Sequence, residues 1–276
     1  MVKVTAASLL EMKKRGEKIT ALTAYDAPTA RFLNDAGGDV VLVGDSVGNV
    51  KLGYENTLPV TLEEMLHHTK AAARGNSRAL LAADMPYLTY QISLDEARRN
   101  AGRLVKEGGA AAVKLEGGIE VAGIVKALVD LNIPVMGHLG LTPQAIHRLG
   151  GYKMQGKTEE AREKMITDAK VLEGAGIFAL VLECVPPDLA KAITKKLSVP
   201  TIGIGAGPDT DGQILVTDDL LGLTQGPVPK FVQPYADLKA EISRSLKNFN
   251  KDVKEGRYPE RSSTAVPGEP IPQRES

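Results

Sequence analysis

Short runs rich in aliphatic and β-branched residues recur along the chain at 19–24 (ITALTA), 40–43 (VVLV), 79–83 (ALLAA), 111–115 (AAVKL), 133–137 (IPVMG), 178–182 (FALVL) and 199–204 (VPTIGI). Each reads as a strand. A weaker eighth candidate lies near 219–223 (DLLGL). Between the runs the spacing becomes helical. In 61–75 the apolar or small positions are Leu62, Met65, Leu66, Thr69, Ala72 and Ala73, which fall on one face of a helix. Thr61 with Glu64, and Ser93 with Glu96, have the spacing of a capping box and mark helix starts. The last such pattern, Tyr235, Leu238, Ile242, Leu246, Phe249 and Val253, advances by three or four residues each time.

Strand–helix alternation throughout predicts parallel strands, because a helical crossover is the usual way to join them. About eight such units in a chain of 276 residues favour a closed (β/α)8 TIM barrel over an open doubly wound sheet. The first turns after strands lack G-x-G-x-x-G, which weakens a dinucleotide-binding reading. One α/β catalytic domain is therefore expected over residues 1–256. Residues 257–276 (RYPERSSTAVPGEPIPQRES), rich in Pro, Ser and charge, read as an extended or disordered tail.

Charge narrows the function classes. The 34 basic and 34 acidic residues balance, so the basic excess of a nucleic-acid binder is missing. No apolar run approaches the roughly 18 residues of a membrane span. Glu11, Lys13, Lys14 and Arg15 interrupt the first twenty positions, where a secretory signal needs a clean apolar stretch. The single cysteine, Cys184, allows no internal disulfide and suits a reducing compartment. A cytoplasmic protein is expected.

In a barrel of this kind the active site forms at the carboxyl ends of the strands. Here those ends carry Gly44-Asp45-Ser46, Asp84-Met85-Pro86, Lys114-Leu115-Glu116, Gly137-His138-Leu139 and Leu182-Glu183-Cys184. Side chains two apart share a strand face, so Lys114 goes with Glu116, His138 with Met136 and Glu183 with Val181. If those faces point inward, Asp45, Asp84, Glu116 and Glu183 converge with Lys114 over the barrel mouth. Carboxylates forced together take up protons or gather around a cation. Oxygen-only ligands with room for water suit Mg²⁺ better than zinc.

Each piece also has a plainer reading. Asp45 or Asp84 taken singly is compatible with an N-cap, Glu116 with an ion pair to Lys114, and His138 with a satisfied core histidine. Glu183 follows an apolar run with no basic neighbour in sequence, which marks it as a candidate proton acceptor. Cys184 is expected to face the helix layer, and His67 and His68 to be solvated. The G-x-G-x-G run at 203–207 resembles phosphate-cradling loops but is weak evidence alone.

Taken together, TAYDA (23–27), GDSVG (44–48), TLPVTLEEM (57–65), DMPY (84–87), VKLEGG (113–118), GHLGLTPQ (137–144), GGYKMQG (150–156), LVLECVP (180–186), IGIGAG (202–207) and DGQILV (211–216) resemble the ketopantoate hydroxymethyltransferase family. That family belongs to the phosphoenolpyruvate mutase/isocitrate lyase superfamily of (β/α)8 barrels. The motifs run in the family's order over roughly residues 1–255. Asn49 and Tyr87 depart from the common methionine and phenylalanine at two positions that bear on pocket shape only.

The resemblance implies a hydroxymethyl transfer from 5,10-methylenetetrahydrofolate to 3-methyl-2-oxobutanoate in pantothenate biosynthesis. It implies one Mg²⁺ per subunit, held by Asp45 and Asp84 with Glu116 as a third ligand, directly or through water. Asp45, Ser46, Asp84 and Lys114 would contact the keto acid, and Glu183 would accept its proton. A homo-oligomer, decameric in much of the family, is implied as well. The GGYKMQG loop is a candidate lid and His138 a hydrogen-bonding support for the site. The nearest rivals are a Mg²⁺-dependent C–C or P–C lyase or mutase, which would use a loop cysteine, and a 2-oxo acid binder without catalysis.

Overall fold

The computed structural model describes residues 2–259; from residue 260 on, the expected tail lies outside the described residues. Eight parallel strands close into a barrel in chain order: β1 (Ile19–Thr23), β2 (Val40–Val43), β3 (Leu80–Asp84), β4 (Ala112–Glu116), β5 (Val135–Gly140), β6 (Ala179–Glu183), β7 (Thr201–Ile204) and β8 (Gly212–Leu215). The helices are α1 (Ala6–Arg15), α2 (Ala27–Asp35), α3 (Val47–Val50), α4 (Leu62–Gly75), α5 (Leu94–Lys106), α6 (Ala122–Val129), α7 (Ile146–Leu149), α8 (Glu159–Ala175), α9 (Pro187–Lys196), α10 (Thr217–Leu220) and α11 (Leu238–Lys254).

Local chemistry sets the helix starts. At α4 the Thr61 hydroxyl accepts from the Glu64 N–H while the Glu64 carboxylate accepts from the Thr61 N–H, so two orphan donors are satisfied reciprocally. At α5 only half of that exchange forms: Ser93 caps the Glu96 N–H. The face read for α4 buries Met65, Leu66, Thr69 and Ala72 against the barrel.

Strand alternation splits the core into two shells. Ile19, Val40, Leu42, Leu80, Met136, Val181, Ile202 and Ile214 fill the barrel interior. Their sequence neighbours Val41, Val43, Leu81, Val113, Val135, Leu180 and Leu182 pack outward against the helices. Helix α1 closes the floor, placing fully buried Leu9 in the interior cluster. Register then carries the polar ends of the strands to one level: Asp84 pairs with Lys114, Glu116 with His138, and Gly140 with Glu183.

Seven expected strands overlap the observed ones, and the eighth was misplaced. Strand β8 is Gly212–Leu215, eight residues after the end of β7 and inside a segment that opens Asp-Gly-Gln and reads as a turn; 219–223 instead starts inside α10. The glycine is required where β8 meets β1. A Cβ on Gly212 would stand 2.4 Å from the Ile19 carbonyl oxygen, so a side chain there would hold the barrel open. The long pattern near the C-terminus does form a helix, α11, but its apolar stripe is outside the core. Ile242, Leu246, Phe249 and Val253 are 46–59% exposed.

Leu9 tests the floor. Leu9→Ala should lower unfolding free energy by about 2–5 kcal/mol through the lost transfer energy and the cavity left below the barrel, read by urea unfolding with an unchanged m-value.

Candidate active site

The barrel opens at its carboxyl end into a cavity of about 730 Å³, lined on one side by Asp45, Ser46, Asp84, Lys114, Glu116, His138 and Glu183. All the site residues expected from sequence therefore border one space. Asp45 and Ser46 come from the turn after β2, Asp84 ends β3, Lys114 and Glu116 lie on β4, His138 on β5, and Glu183 ends β6. Asp45, Asp84, Lys114, Glu116 and His138 are each buried, while Glu183 and Ser46 are partly open to the cavity.

Hydrogen bonds hold the acids in place. The Asp45 N–H donates to Asp84 Oδ2 at 3.0 Å. The Gln144 side-chain amide donates to Asp45 Oδ2 at 2.8 Å and to the Met85 carbonyl at 3.0 Å. The Gln144 backbone N–H donates to Glu116 Oε2 at 3.0 Å. Tyr90, also buried, donates to Gln144 Oε1 at 2.8 Å, and its oxygen accepts from the Glu116 N–H at 3.2 Å. Gln144 thus ties two carboxylates together from the short 3-10 turn at 143–145. Sequence reasoning missed it, although the matching motif GHLGLTPQ ends on this residue.

The electrostatics follow from crowding. Burial pushes the Asp45 carboxyl well above the usual range, and Asp84 and Glu116 push it further, while Lys114 and Gln144 pull it back. Burial would lower the Lys114 ammonium, but Asp84, Glu116 and Asp45 outweigh that and raise it. The Lys114 ammonium lies 2.6 Å from Asp84 Oδ1, yet out of line, so this buried oxygen accepts no hydrogen bond. His138 sits between two acids, with Nδ1 3.3 Å from Glu116 and Nε2 3.2 Å from Glu183, both contacts poorly aligned for hydrogen bonding. Burial alone would lower its imidazole; Glu116 and Glu183 raise it to about 9.

Three expectations need correction. Glu183 does have a cationic neighbour, His138, which strand register and not sequence adjacency supplies. Cys184 borders the cavity, because its left-handed φ of 47° takes the chain out of strand alternation straight after Glu183. Its thiol is pushed up to about 11 by burial and by Glu183, which opposes a nucleophilic thiolate. His68 is half-buried, with Nδ1 2.8 Å from the Tyr25 carbonyl, whereas His67 is exposed as expected. The 150–156 loop is irregular and brings Tyr152 to the cavity wall.

The donor set fits a hard divalent cation of small coordination demand on the protein. Asp84 Oδ1 is an oxygen without an aligned donor, and Asp45 is a carboxylate kept from ionising easily by burial and by two other acids. No three of the described His, Cys, Asp and Glu side chains stand ready around one point. One or two carboxylates plus water is what Mg²⁺ ordinarily takes from a protein, whereas zinc or calcium asks for more.

The chain matches the sequence profile described as Ketopantoate hydroxymethyltransferase over residues 3–261. It is 59% identical over 258 residues to the 3-methyl-2-oxobutanoate hydroxymethyltransferase of Thermoanaerobacter sp. (strain X514), covering 94% of each chain. The protein of the same name from Moorella thermoacetica is 56% identical, with 94% of this chain and 96% of that one covered. Among solved structures, a phosphonopyruvate hydrolase in complex with oxalate and Mg²⁺ superposes with a TM-score of 0.61 at 15% identity, covering 95% of this chain and 93% of that one. A 2,3-dimethylmalate lyase of the PEP mutase/isocitrate lyase superfamily gives 0.60 at 16% identity, covering 96% and 92%. At such identity these two show the shared barrel fold.

Crowding of the acids sets a pH dependence of stability in the metal-free protein. The His138 pKa rises from 6.5 unfolded to about 9 folded, so its contribution is complete below pH 6.5 and lost as pH climbs through 9. Chelator-treated protein should melt at progressively lower temperature between those values, and His138→Asn should flatten that limb. A His138→Asn profile parallel to the wild type would remove the imidazolium from the account.

Proposed function

The chain belongs to the ketopantoate hydroxymethyltransferase family, and on that premise we propose that it transfers a hydroxymethyl group to 3-methyl-2-oxobutanoate, giving ketopantoate (2-dehydropantoate) for pantothenate and coenzyme A synthesis. The donor in this reading is 5,10-methylenetetrahydrofolate. The observation that carries the proposal is the convergence of Asp45, Asp84, Lys114, Glu116 and Glu183 on one cavity in a chain so similar to enzymes of that name.

Asp45 and Asp84 would hold a Mg²⁺ ion, with Glu116, tied to the Gln144 N–H, acting through water. When bound, the ion supplies Lewis acidity to the keto oxygen, which makes the neighbouring C–H acidic. Lys114 offsets the substrate carboxylate, and Asp45, Ser46 and Asp84 fix the acid's orientation. Ser46 is itself held by the Tyr25 hydroxyl at 2.9 Å. Glu183, reaching the cavity from the opposite side of His138 to Glu116, takes the proton from C3. That carbon then bonds to the methylene carbon of the donor, both C–N bonds of that methylene break, and water supplies the hydroxyl. The proton from C3 and the remaining proton of the water end on the two folate nitrogens. His138 lies against the Glu183 carboxylate, so it steadies the proton acceptor and its conjugate acid.

Two other readings carry less. A lyase or mutase that depends on a loop cysteine finds here only Cys184, whose thiol is held protonated by its surroundings. A binder without turnover has no use for Glu183 beside the substrate. The exposed stripe of α11 supports a homo-oligomer in which a second copy covers it. No described helix is long and apolar enough to cross a membrane, which is compatible with the cytoplasmic setting we propose.

The reading is tested in D₂O by NMR, with Mg²⁺ and keto acid but no folate: the C3 proton should exchange only with metal and Glu183 both present. Glu183→Gln should slow exchange and turnover by at least about 10²-fold while keto acid affinity changes little. Exchange at the wild-type rate in that variant would take the proton-acceptor role from Glu183. Asp84→Ala should lose the rise in melting temperature that Mg²⁺ gives the wild type. A normal Mg²⁺ response there would remove Asp84 as a ligand.

A further inference from the structure

Only part of the cavity is accounted for by the keto acid. About 730 Å³ is the size of a site for a drug-sized ligand, far larger than a five-carbon acid needs. The residues assigned to the acid lie on the β2 to β6 side. The rest of the wall comes partly from the 49–57 segment and the loops after β5, and partly from the β8 end and the segment 223–231, which is the part considered next.

One polar group in that wall has no role in the reaction described above. Asp219, in α10, is 8% exposed and borders the cavity. Its Oδ1 accepts from the Thr224 hydroxyl at 2.5 Å, and among the described residues its Oδ2 accepts no hydrogen bond. The adjacent acid, Asp218, is paired with Lys51 at 2.6 Å, so Asp219 is left without a cation of its own. Burial pushes its carboxyl up, the Thr224 hydroxyl offsets only part of this and Asp218 adds to it, so a ligand bringing N–H donors would relieve a charge that the protein leaves without a cation.

We infer that this half of the cavity is the subsite for the pterin of the one-carbon donor, with the Asp219 carboxylate reading the paired ring N–H and amino group of its aminopyrimidinone edge. The inference rests on the folate-dependent reaction proposed above. Two parallel N–H donors match a carboxylate in the same fork geometry by which a guanidinium does. The walls suit a flat ring: Leu223, Val228 and Phe231 border the space, and Lys230 stands at its exposed rim, where the glutamate carboxylates of a folate would emerge. The glycine run at 203–207 finds its use here. Gly205 has φ +61°, and a Cβ on it would lie 2.7 Å from the Phe231 ring, so the run seats an aromatic side chain and need not cradle phosphate.

The test measures tetrahydrofolate binding calorimetrically in the presence of Mg²⁺ and keto acid, beside the folate-free C3 exchange. Asp219→Asn should weaken tetrahydrofolate by about 10- to 100-fold, the cost of a charge-assisted hydrogen-bond pair, while exchange stays within about threefold. A tetrahydrofolate analogue lacking the 2-amino group should bind wild type and Asp219→Asn with nearly equal affinity. Phe231→Ala should weaken tetrahydrofolate about tenfold through lost stacking, and decides the matter if Asp219→Asn fails to fold. Unchanged tetrahydrofolate affinity in either folded variant, or an analogue that still distinguishes wild type from Asp219→Asn, overturns the subsite. Wild-type protein that exchanges C3 yet binds no tetrahydrofolate contradicts the choice of donor instead, and so separates the two.

Discussion

The structure depends on keeping Asp45, Asp84 and Glu116 buried within reach of one ammonium, that of Lys114. Like charges in a low-dielectric space repel strongly, and removing each from water costs several kcal/mol after relaxation. The protein manages this with a scaffold of neutral donors: the Gln144 amide and N–H, the Asp45 N–H and the Tyr90 hydroxyl. That scaffold is incomplete by design of its geometry. Asp84 Oδ1 lacks an aligned donor, and it is there that the proposed cation would complete the balance of charge.

Barrel architecture makes such crowding sustainable. The interior is divided by height: aliphatic residues from alternating strand positions fill the lower layers, and α1 seals them from below. Polar side chains appear only in the top layer, where the strand register sets Asp84 beside Lys114, Glu116 beside His138, and Gly140 beside Glu183. Charge at the rim is therefore carried by a rigid, hydrogen-bonded closed sheet. Loops add only Asp45, Ser46 and the Gln144 turn. The same rim divides by chemistry around its circumference, with acids and lysine over β2 to β6 and a largely apolar wall near β8.

Much of this was legible in the sequence because it rests on period two and on strand ends. Lys114 and Glu116 share a face, Val113 and Leu115 share the other, and the two hydrophobic shells obey that rule. What was not legible depends on contacts between distant segments. Gln144 is an ordinary amide until folding brings it against Asp45, 99 residues away in sequence. His138 becomes the partner of Glu183 only through β5–β6 register. Cys184 escaped the alternation rule because one left-handed residue ends it. Strand β8 hid behind Asp211-Gly212, a pair that reads as a turn and whose glycine exists for the close approach of Ile19. Asp219 lay within the segment mistaken for that strand, so its place on the cavity wall went unseen.

The most direct measurement is a titration of Mg²⁺ into chelator-stripped protein, recording bound ion, proton release and melting temperature together. If buried acids await a cation, one ion binds per chain, proton release grows as pH is lowered because burial, Asp84 and Glu116 hold the Asp45 carboxyl up, and the melting temperature rises. Protein that takes up no Mg²⁺ at millimolar concentration, or takes it up with neither proton release nor added stability, contradicts the account.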